Sequence, residues 1–202
     1  MRVYIDGCSM SAGGKWLGED YKNVRWSKLL CDKLGAEEHN FARAGGCNQR
    51  IWRNLTIENY DKKYDLAIIQ LTFPSRTEYY DGQRYYSVSS YVVRKGDGTF
   101  YLKDNPLKHI KKKTHSPYWK MYYERIYHDK YGEDMERSIH TSVKCISQQK
   151  KTKLILLSCY SNTKLNYDLM VTPENYDPVS ETDGHPNLDS QKLIADDIYN
   201  LL

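Results

Sequence analysis

The sequence predicts an α/β protein in which helices cover both faces of a parallel sheet. Short apolar runs typical of strands alternate with segments whose apolar residues recur at helical spacing. Strands that alternate with helices of this length indicate parallel βαβ units. The length of 202 residues is enough for one well-packed core. We therefore expect a single domain that spans residues 1–202.

Four stretches are predicted to be core strands. Residues 65–71 and 154–159 give the strongest signals, because each is a short and mostly apolar run. Residues 2–6 form a third run, which Gly7 ends, and residues 38–41 give a weaker signal. We expect these segments to form the central sheet.

Four segments are predicted to be helices. They are residues 26–34, 48–57, 118–149 and 188–202, and the third of them is either one long helix or two helices that meet near Gly132. The residues predicted to face the core are Trp26, Leu29, Leu30 and Leu34 in the first, Ile51, Trp52 and Leu55 in the second, and Leu193, Ile194, Ile198 and Leu201 in the last.

The segment between the third and fourth predicted strands breaks the alternation. Residues 76–117 show no helical period; tyrosines alternate there with polar residues, and Lys-Gly-Asp-Gly at 95–98 is a turn signal between strand-like runs. From Tyr79 to Tyr131 the chain holds 11 of its 19 tyrosines, with 11 Lys or Arg against 5 Asp or Glu. We predict a tyrosine-rich β-hairpin insertion that carries net positive charge.

Composition limits the classes of function. No apolar run approaches the ~20 residues of a membrane span, and no leader pattern precedes the first strand. The five cysteines lack paired or metal-like spacing, which indicates free thiols in a reducing compartment. We expect a cytoplasmic protein with no membrane association, no metal site and no cofactor; the oligomeric state is left open. The net charge of +4 is too small to imply nucleic acid by itself.

The first candidate for chemistry is Ser9, in the turn that ends the first strand. Gly7 breaks the strand, and the small residues at 11–14 keep the backbone free of bulk. In an open α/β sheet, the loops at the carboxyl ends of the strands carry the active site. An ordinary strand-to-loop turn has the same local pattern, so Ser9 needs partners.

The second candidate is His185, in the loop before the last helix. A serine hydroxyl is a weak nucleophile until a base takes its proton. Asp183 lies two residues before His185, and a carboxylate beside a histidine holds the ring in one tautomer and stabilises its protonated form. Asn187 is placed to cap the helix that follows. Taken alone, Asp-Gly-His-Pro is also a common turn sequence.

The third candidate is a glycine-rich loop, residues 44–48, after the weak second strand. Gly45 offers an unobstructed backbone N–H, and Asn48 adds a carboxamide at the start of a predicted helix. Such donors can stabilise the negative charge that develops on a carbonyl oxygen. The alternative is a glycine-rich loop that merely begins a helix.

Together, these motifs resemble the SGNH, or GDSL-like, hydrolase superfamily. The resemblance lies in the order of the blocks and spans nearly the whole chain. The matching residues are Gly7-Cys8-Ser9 for Gly-Asp-Ser, Asn40 and Gly45 for the Asn and Gly of the second block, and Asp183 and His185, followed by Pro186 and Asn187, for the last block.

The resemblance implies a flavodoxin-like three-layer α/β/α sandwich. It also implies that Ser9 is the nucleophile, His185 the base and Asp183 its orienting carboxylate, and that the backbone N–H groups of Ser9 and Gly45 form part of an oxyanion hole. Asp183 is less secure than His185, because the Asp and His are two positions apart here, whereas a separation of three positions is more common in the family. No metal or cofactor is implied.

This sequence departs from the family pattern in two blocks. Cys8 replaces an Asp that is usually structural. The third block, Gly-x-Asn-Asp in the family, is absent, and Pro74, at the place of its oxyanion Asn, has no N–H to donate. Asn48 is the predicted replacement donor, with Thr72 and Arg76 as alternatives, and Thr72 and Arg76 are also predicted to bind substrate. Loss of one such donor costs about 100-fold or more in rate, which leaves weak activity open.

Two functions follow as expectations. The first is a serine hydrolase that cleaves an acyl ester or O-acetyl group, with a small-molecule or glycan ester as substrate. The alternative is a catalytically weak or inactive scaffold that binds nucleic acid, a saccharide or another anionic partner through the basic insertion; nucleic acid is the less favoured partner. The lysines that suggest it are Lys108, Lys111, Lys112 and Lys113.

Overall fold

The computed structural model describes residues 1–80, 83, 85–88, 92–94, 100–102, 129–161, 163–180 and 183–202. The strands in this part of the chain are β1 (Arg2–Asp6), β2 (Glu37–Asn40), β3 (Leu66–Leu71), β4 (Thr77–Tyr80), β5 (Tyr85–Val88), β6 (Val92–Arg94), β7 (Phe100–Leu102), β8 (Lys153–Ser158), β9 (Leu169–Met170), β10 (Pro178–Ser180) and β11 (Asp183–Pro186).

Five of these strands form a parallel sheet in the order β2-β1-β3-β8-β9. This is the strand order of flavodoxin-like sheets, and it places β3 at the centre, between β1 and β8. The predicted α/β fold with a parallel sheet is therefore confirmed. The short edge strand β9 was missing from the prediction, since two residues give no periodic signal.

The described helices are α1 (Ser9–Ala12), α2 (Tyr21–Val24), α3 (Trp26–Leu34), α4 (Asn48–Arg53), α5 (Asp129–Lys150) and α6 (Leu188–Asn200). A 3-10 turn covers Lys15–Leu17, and a π-helical turn, Asn54–Glu58, continues α4. Gly35 ends α3 in the left-handed region at φ +59, which a residue without a side chain adopts at least cost.

Alternating residues of the strands divide the core into two halves, one on each face of the sheet. Helices α3 and α6 cover one face, and α4 and α5 cover the other. The first half includes Val3, Ile5, Trp26, Leu30, Ile68, Ile155, Ile194 and Ile198. The second includes Tyr4, Ile51, Leu55, Ala67, Ile69, Ile139, Val143 and Leu156. The molecule thus has the three layers that the sequence predicts.

Three residues predicted to face the core are exposed instead. Trp52 is 36% exposed, Leu193 55% and Leu201 44%. In α6, a polar residue takes one of the buried positions beside Ile194 and Ile198: Gln191 accepts a hydrogen bond from the Trp26 amide and donates to the Pro186 carbonyl. An apolar pattern misses such a residue, because hydrogen bonding can compensate the burial of an amide.

The predicted long helix ends at Lys150 and runs without interruption from Asp129, so it has no break at Gly132. Residues 118–128 lie outside the described part. Within the predicted insertion, β4 pairs with β5 and β6 with β7, both antiparallel. The turn at 95–98 lies outside the described residues, and the tyrosine-rich hairpin as a whole stays a prediction.

None of the helices within the described ranges combines the length and apolar character that crossing a bilayer requires.

Candidate active site

Ser9 is the first residue of α1, just beyond the carboxyl end of β1. The turn beneath it is closely packed: a Cβ on Gly7 would lie 2.8 Å from Ser11 Oγ and 3.0 Å from Gln70 Cβ. Ser11 Oγ donates a hydrogen bond of 2.6 Å to Gln70 Oε1 on β3. Glycine at position 7 therefore allows the turn to lie directly against the central strand and leaves the half-buried Ser9 at the sheet edge.

Three side chains form a hydrogen-bonded chain at this edge. His185 Nε2 lies 2.8 Å from Ser9 Oγ, across 176 residues of sequence. His185 Nδ1 is hydrogen-bonded to Asp183 Oδ1, which also accepts from the His185 amide at 3.1 Å. Because a carboxylate only accepts, Nδ1 carries the proton and Nε2 is left to accept from the Ser9 hydroxyl. The sequence-predicted Ser9, His185 and Asp183 thus lie together.

Asp183 is held as an anion. Partial burial would raise its pKa, but the hydrogen bonds from the His185 ring and amide, and the charge of the ring when protonated, outweigh burial and lower the pKa of Asp183. The spacing of two residues is compatible with this contact because Asp183 and His185 both lie on β11, where side chains two apart share a face.

An aromatic ring packs on the histidine. The Trp16 and His185 ring centroids are 4.2 Å apart, with 31° between the planes. Gly14 makes room for this arrangement, since a Cβ there would lie 1.9 Å from the Trp16 ring. Sequence reasoning missed Trp16, although an aromatic residue shortly after the Gly13-Gly14 pair was a signal for a ring that folds back over the turn.

The loop before α4 contacts the turn that carries Ser9 through Gly7. Arg43 N donates to the Gly7 carbonyl at 3.2 Å, and Gly46 N closes a turn onto Arg43 O at 2.9 Å. Gly45 has a φ of +70, and a Cβ there would meet nothing within 4 Å. Within the described residues, the backbone N–H groups of Ser9 and Gly45 donate to no other group.

No protein-family model matches the sequence, and a search of curated proteins gives no match. Solved structures match the fold. The acetyl xylan esterase AlAXEase aligns over 100% of both chains with a TM-score of 0.53 and 11% identity. The chain has the fold of the SGNH hydrolases. A carbohydrate esterase family 2 enzyme with a carbohydrate-binding domain, from Corynascus thermopiles (Myceliophthora fergusii), aligns at a TM-score of 0.50 with 13% identity, over 99% of this chain and 64% of its own.

In this structure, the predicted replacement donor Asn48 has a different role. Its Nδ2 donates to the Thr72 carbonyl at 2.9 Å, and its Oδ1 accepts from the Thr72 amide at 2.7 Å. Asn48 is 2% exposed, and Thr72 is fully buried. Asn48 therefore ties the start of α4 to the end of β3, and we do not carry it forward as an oxyanion donor. The burial of Thr72 likewise takes it away from direct substrate contact.

Arg76 is the remaining residue predicted to bind substrate. Its Nη1 donates to Thr72 Oγ1 at 2.9 Å, and its guanidinium carbon lies 5.0 Å from the centre of the Phe73 ring. Phe73 in turn packs against Tyr160, with ring centroids 5.7 Å apart. Arg76 is thus half-buried at the carboxyl end of β3, where the SGNH pattern has its third block.

A fully buried carboxylate, Asp6, lies beneath the Ser9 turn. Arg50 Nη2 donates to it at 2.5 Å and to the Gly7 carbonyl at 2.9 Å, while Arg50 Nη1 donates to the Phe41 carbonyl at 3.0 Å. The other donors to Asp6 are Tyr4 Oη, the Gly7 amide and Asn54 Nδ2, at 3.1, 2.7 and 2.9 Å. Sequence reasoning missed this network, although an Asp at the end of a buried strand needs a donor.

The second-block Asn40 also has a structural role. Its Oδ1 accepts from the Ala42 amide at 2.9 Å, which turns the chain after β2, and its Nδ2 donates to the Ser11 carbonyl at 3.0 Å. It therefore connects the loop that carries Gly45 to the helix that carries Ser9.

In the described part of the chain, no group of three or more His, Cys, Asp or Glu residues is arranged to hold a metal ion. The lysines on which the binding-module alternative rests, Lys108, Lys111, Lys112 and Lys113, lie outside the described residues.

Proposed function

We propose that this protein is a serine hydrolase that cleaves esters by acyl transfer to water. The observation that carries the proposal is the hydrogen-bonded chain from Ser9 through His185 to Asp183, in which the serine hydroxyl lies 2.8 Å from the ring nitrogen. That distance is within the range required for a general base to take a proton. A likeness in fold alone would not support it.

In the proposed first step, Ser9 Oγ attacks the ester carbonyl while its proton moves to His185 Nε2. Asp183 accepts from Nδ1 and stabilises the imidazolium that forms. The carbonyl electron pair moves to oxygen, and the Ser9 and Gly45 amides donate to that oxyanion. When the tetrahedral intermediate collapses, the bond to the leaving alcohol breaks, and His185 returns the proton to the departing oxygen.

In the second step, water replaces the alcohol. His185 takes a proton from water as its oxygen attacks the acyl-serine carbonyl, and the same two amides stabilise the second oxyanion. The bond to Ser9 Oγ then breaks, His185 returns the proton to that oxygen, and a carboxylic acid leaves. No residue beyond the three side chains and two amides is required for the proton balance.

The structural neighbours suggest a substrate class for the test. One is named an acetyl xylan esterase and another a carbohydrate esterase. We therefore propose acetyl esters, including acetylated glycans, as the first substrates to examine. The exposed setting of Asp183 and His185 suits a bulky alcohol portion of the ester.

The test uses a fluorophosphonate probe, which labels activated serines, together with hydrolysis of an aryl acetate. We expect labelling and turnover with the wild-type protein and with the control Ser138→Ala, whose serine lies exposed on α5. Ser9→Ala is expected to lose both signals. Equal labelling and equal turnover in wild type and Ser9→Ala would contradict the proposed triad.

A second variant tests the carboxylate. Asp183→Asn is expected to lower kcat by about 1,000-fold or more, because the amide can donate to Nδ1 and favours the wrong tautomer. The Michaelis constant should change little, since Asp183 makes no proposed contact with substrate. Steady-state kinetics on the aryl acetate measure both, and a decrease below about 10-fold would reduce the triad to a Ser-His pair.

A further inference from the structure

The segment after the central strand β3 places a positive charge, that of Arg76, at the carboxyl edge of the sheet. Arg76 donates one hydrogen bond to Thr72 Oγ1, and its guanidinium lies over the Phe73 ring. In the described ranges, no carboxylate forms a salt bridge with Arg76. A guanidinium has five N–H donors, and most of those of Arg76 are not used by the described residues. A half-buried cation without a carboxylate partner among the described residues is a candidate site for an anion.

This charge lies at the same edge of the sheet as the candidate nucleophile Ser9. Thr72 follows the central strand β3, and its hydroxyl accepts from Cys159 Sγ at 3.5 Å as well as from Arg76. Cys8, the residue before Ser9, also contacts β3, because its Sγ donates to Gln70 Oε1 at 3.7 Å. The strands β1 and β3, which lead to Ser9 and Arg76, are parallel neighbours, so both segments lie at the same carboxyl edge of the sheet.

An apolar surface accompanies the charge. Phe73 is 39% exposed, although it lies only two residues after a strand whose six residues are all buried. Its ring packs against Tyr160, which follows the neighbouring strand β8. Arg76 therefore lies against an exposed aromatic ring. This combination matches an organic anion, because the ring can pack on a carbon skeleton while the guanidinium binds a carboxylate through two hydrogen bonds.

We propose that Arg76 and Phe73 form a subsite that selects esters bearing a carboxylate on the acyl or the alcohol portion. The inference rests on the proposed ester hydrolysis at Ser9 and specifies its substrate class. Arg76 acts here on substrate binding, and the oxyanion is left to the backbone amides of Ser9 and Gly45. A role for Arg76 on the oxyanion would affect charged and neutral esters alike, and this difference defines the test.

The experiment uses two pairs of esters that differ only in charge. The first pair, 3-acetoxybenzoate and 3-acetoxybenzamide, places the carboxylate or its neutral amide on the alcohol portion. The second pair, the monophenyl ester of adipic acid and its terminal amide, places them on the acyl portion. In both acids, the carboxylate is too far from the ester to attack it readily. Whichever acid shows the larger preference identifies the side that faces Arg76.

With wild-type protein, we expect kcat/KM for at least one acid to exceed that of its amide by about 10- to 100-fold, the size of a charge-assisted hydrogen bond. Arg76→Gln should remove the preference through a higher KM for the acid and should leave the amide within about 2-fold. Arg76→Lys should keep part of it. The control Arg137→Gln, which removes an equal charge from the exposed face of α5, should change neither ester.

Raising the ionic strength from about 0.05 to about 0.5 M should weaken the preference in wild type and leave the amide unchanged. Equal rates for acid and amide in wild type would overturn the inference. So would an equal loss for both esters in Arg76→Gln, since that would assign Arg76 to the oxyanion. Thermal unfolding of each variant shows whether a loss comes from the site or from the fold.

Calorimetric binding to Ser9→Ala separates this inference from the proposed function. We expect Ser9→Ala to bind 3-acetoxybenzoate more tightly than 3-acetoxybenzamide, and Ser9→Ala/Arg76→Gln to bind both alike. If no ester is hydrolysed but this preference in binding holds, the hydrolase fails and the anion subsite stands. If esters are hydrolysed at Ser9 and neither acid is preferred in rate or binding, the subsite fails and the hydrolase stands.

Discussion

The two halves of the proposed triad are held in different ways. The turn that carries Ser9 lies over the buried pair Asp6 and Arg50, with side-chain exposures of 0% and 6%. His185 lies on β11 of the two-stranded β10–β11 hairpin, where Asp183 and His185 are 38% and 28% exposed. The described contacts of the His185 ring are Ser9, Asp183 and Trp16.

This difference in burial indicates which half of the proposed triad fixes the position of the other. Each bond in the buried network depends on the others, because water cannot replace a donor that is lost. The hairpin is exposed, so water can replace many of its contacts. We infer that Ser9 is the fixed reference of the site and that His185 is positioned against it by one carboxylate, one indole and the start of α6. Variants on the two sides should therefore fail differently.

The largest effect is expected from Arg50→Met. Removing one partner of a buried ion pair costs about 3–5 kcal/mol, because the other charge is left desolvated. Urea unfolding measures this cost. The control Arg137→Met, on the exposed face of α5, should stay within about 0.5 kcal/mol of wild type. A loss below about 1 kcal/mol would mean that the network is not the rigid half.

The loss of stability in Arg50→Met should depend on pH. Burial raises the pKa of Asp6 from 3.8 to about 6, although the charge of Arg50 and the bonds from Asn54, Arg50 and the Gly7 amide oppose the rise. A raised carboxyl pKa stabilises the fold fully below pH 3.8, and this contribution is lost as the pH rises through about 6. Without Arg50 the pKa rises further, so the deficit of Arg50→Met should be larger at pH 8 than at pH 5. A constant deficit would exclude Asp6 as its source.

On the exposed side, Trp16→Leu should affect catalysis rather than stability. Loss of the indole face frees the His185 ring to rotate, and we expect kcat to fall by about 10-fold while KM stays within about 2-fold. Trp16→Phe should restore most of kcat, because it keeps an aromatic face. The control Trp52→Leu removes a tryptophan on α4 that makes no described contact with His185.

Gly14→Ala tests the same contact without touching the ring. The added methyl would lie 1.9 Å from Trp16, so the indole must leave its position, and the kinetic result should match that of Trp16→Leu. A shift in tryptophan fluorescence reports the displacement. Normal kcat together with a displaced indole would show that Trp16 does not position His185.

The smallest effect is expected from Asn187→Ala. Asn187 Oδ1 accepts from the Ser190 amide at 2.9 Å and caps α6 two residues after His185. Loss of a cap costs about 1 kcal/mol in thermal or urea unfolding. Asn200→Ala, at the exposed C-terminal end of α6, is the matched control. An equal loss in both variants would mean that the cap does not act on the His185 side of the helix.

The strands and the loops that follow them were readable from local patterns. The bounds of β1 and α3 matched the prediction, and those of β3 and β8 differed by one residue, because buried apolar runs and a glycine C-cap are local signals. Inward-facing residues of α6 were harder: Leu193 was placed on the wrong face, since hydrogen-bonded Gln191 takes the buried position. A prediction based on apolar spacing does not identify a buried polar residue.

The residues of the site divide in the same way. Ser9, His185, Asp183 and Gly45 could be predicted because each lies in a short motif at the end of a strand or before a helix, and their chemistry is recognisable from residue type. The role of Asn48 was not, because its partner Thr72 is 24 residues away and belongs to another loop. An Asn at the start of a helix gives the same sequence signal whether its carboxamide hydrogen-bonds to an oxyanion or to backbone groups of another loop.

Local sequence patterns predict the α/β fold and the loops that reach the candidate site, because a parallel sheet brings the carboxyl ends of its strands to one side. The contacts between the side chains of those loops became visible only in the folded structure. Arg50 pairs with Asp6, Trp16 packs on His185, and Arg76 has no carboxylate partner among the described residues. The difference arises from the distance along the chain over which each kind of interaction acts. Strand and helix propensities act over a few neighbouring residues, whereas the partner of a buried charge or an aromatic ring is chosen by packing.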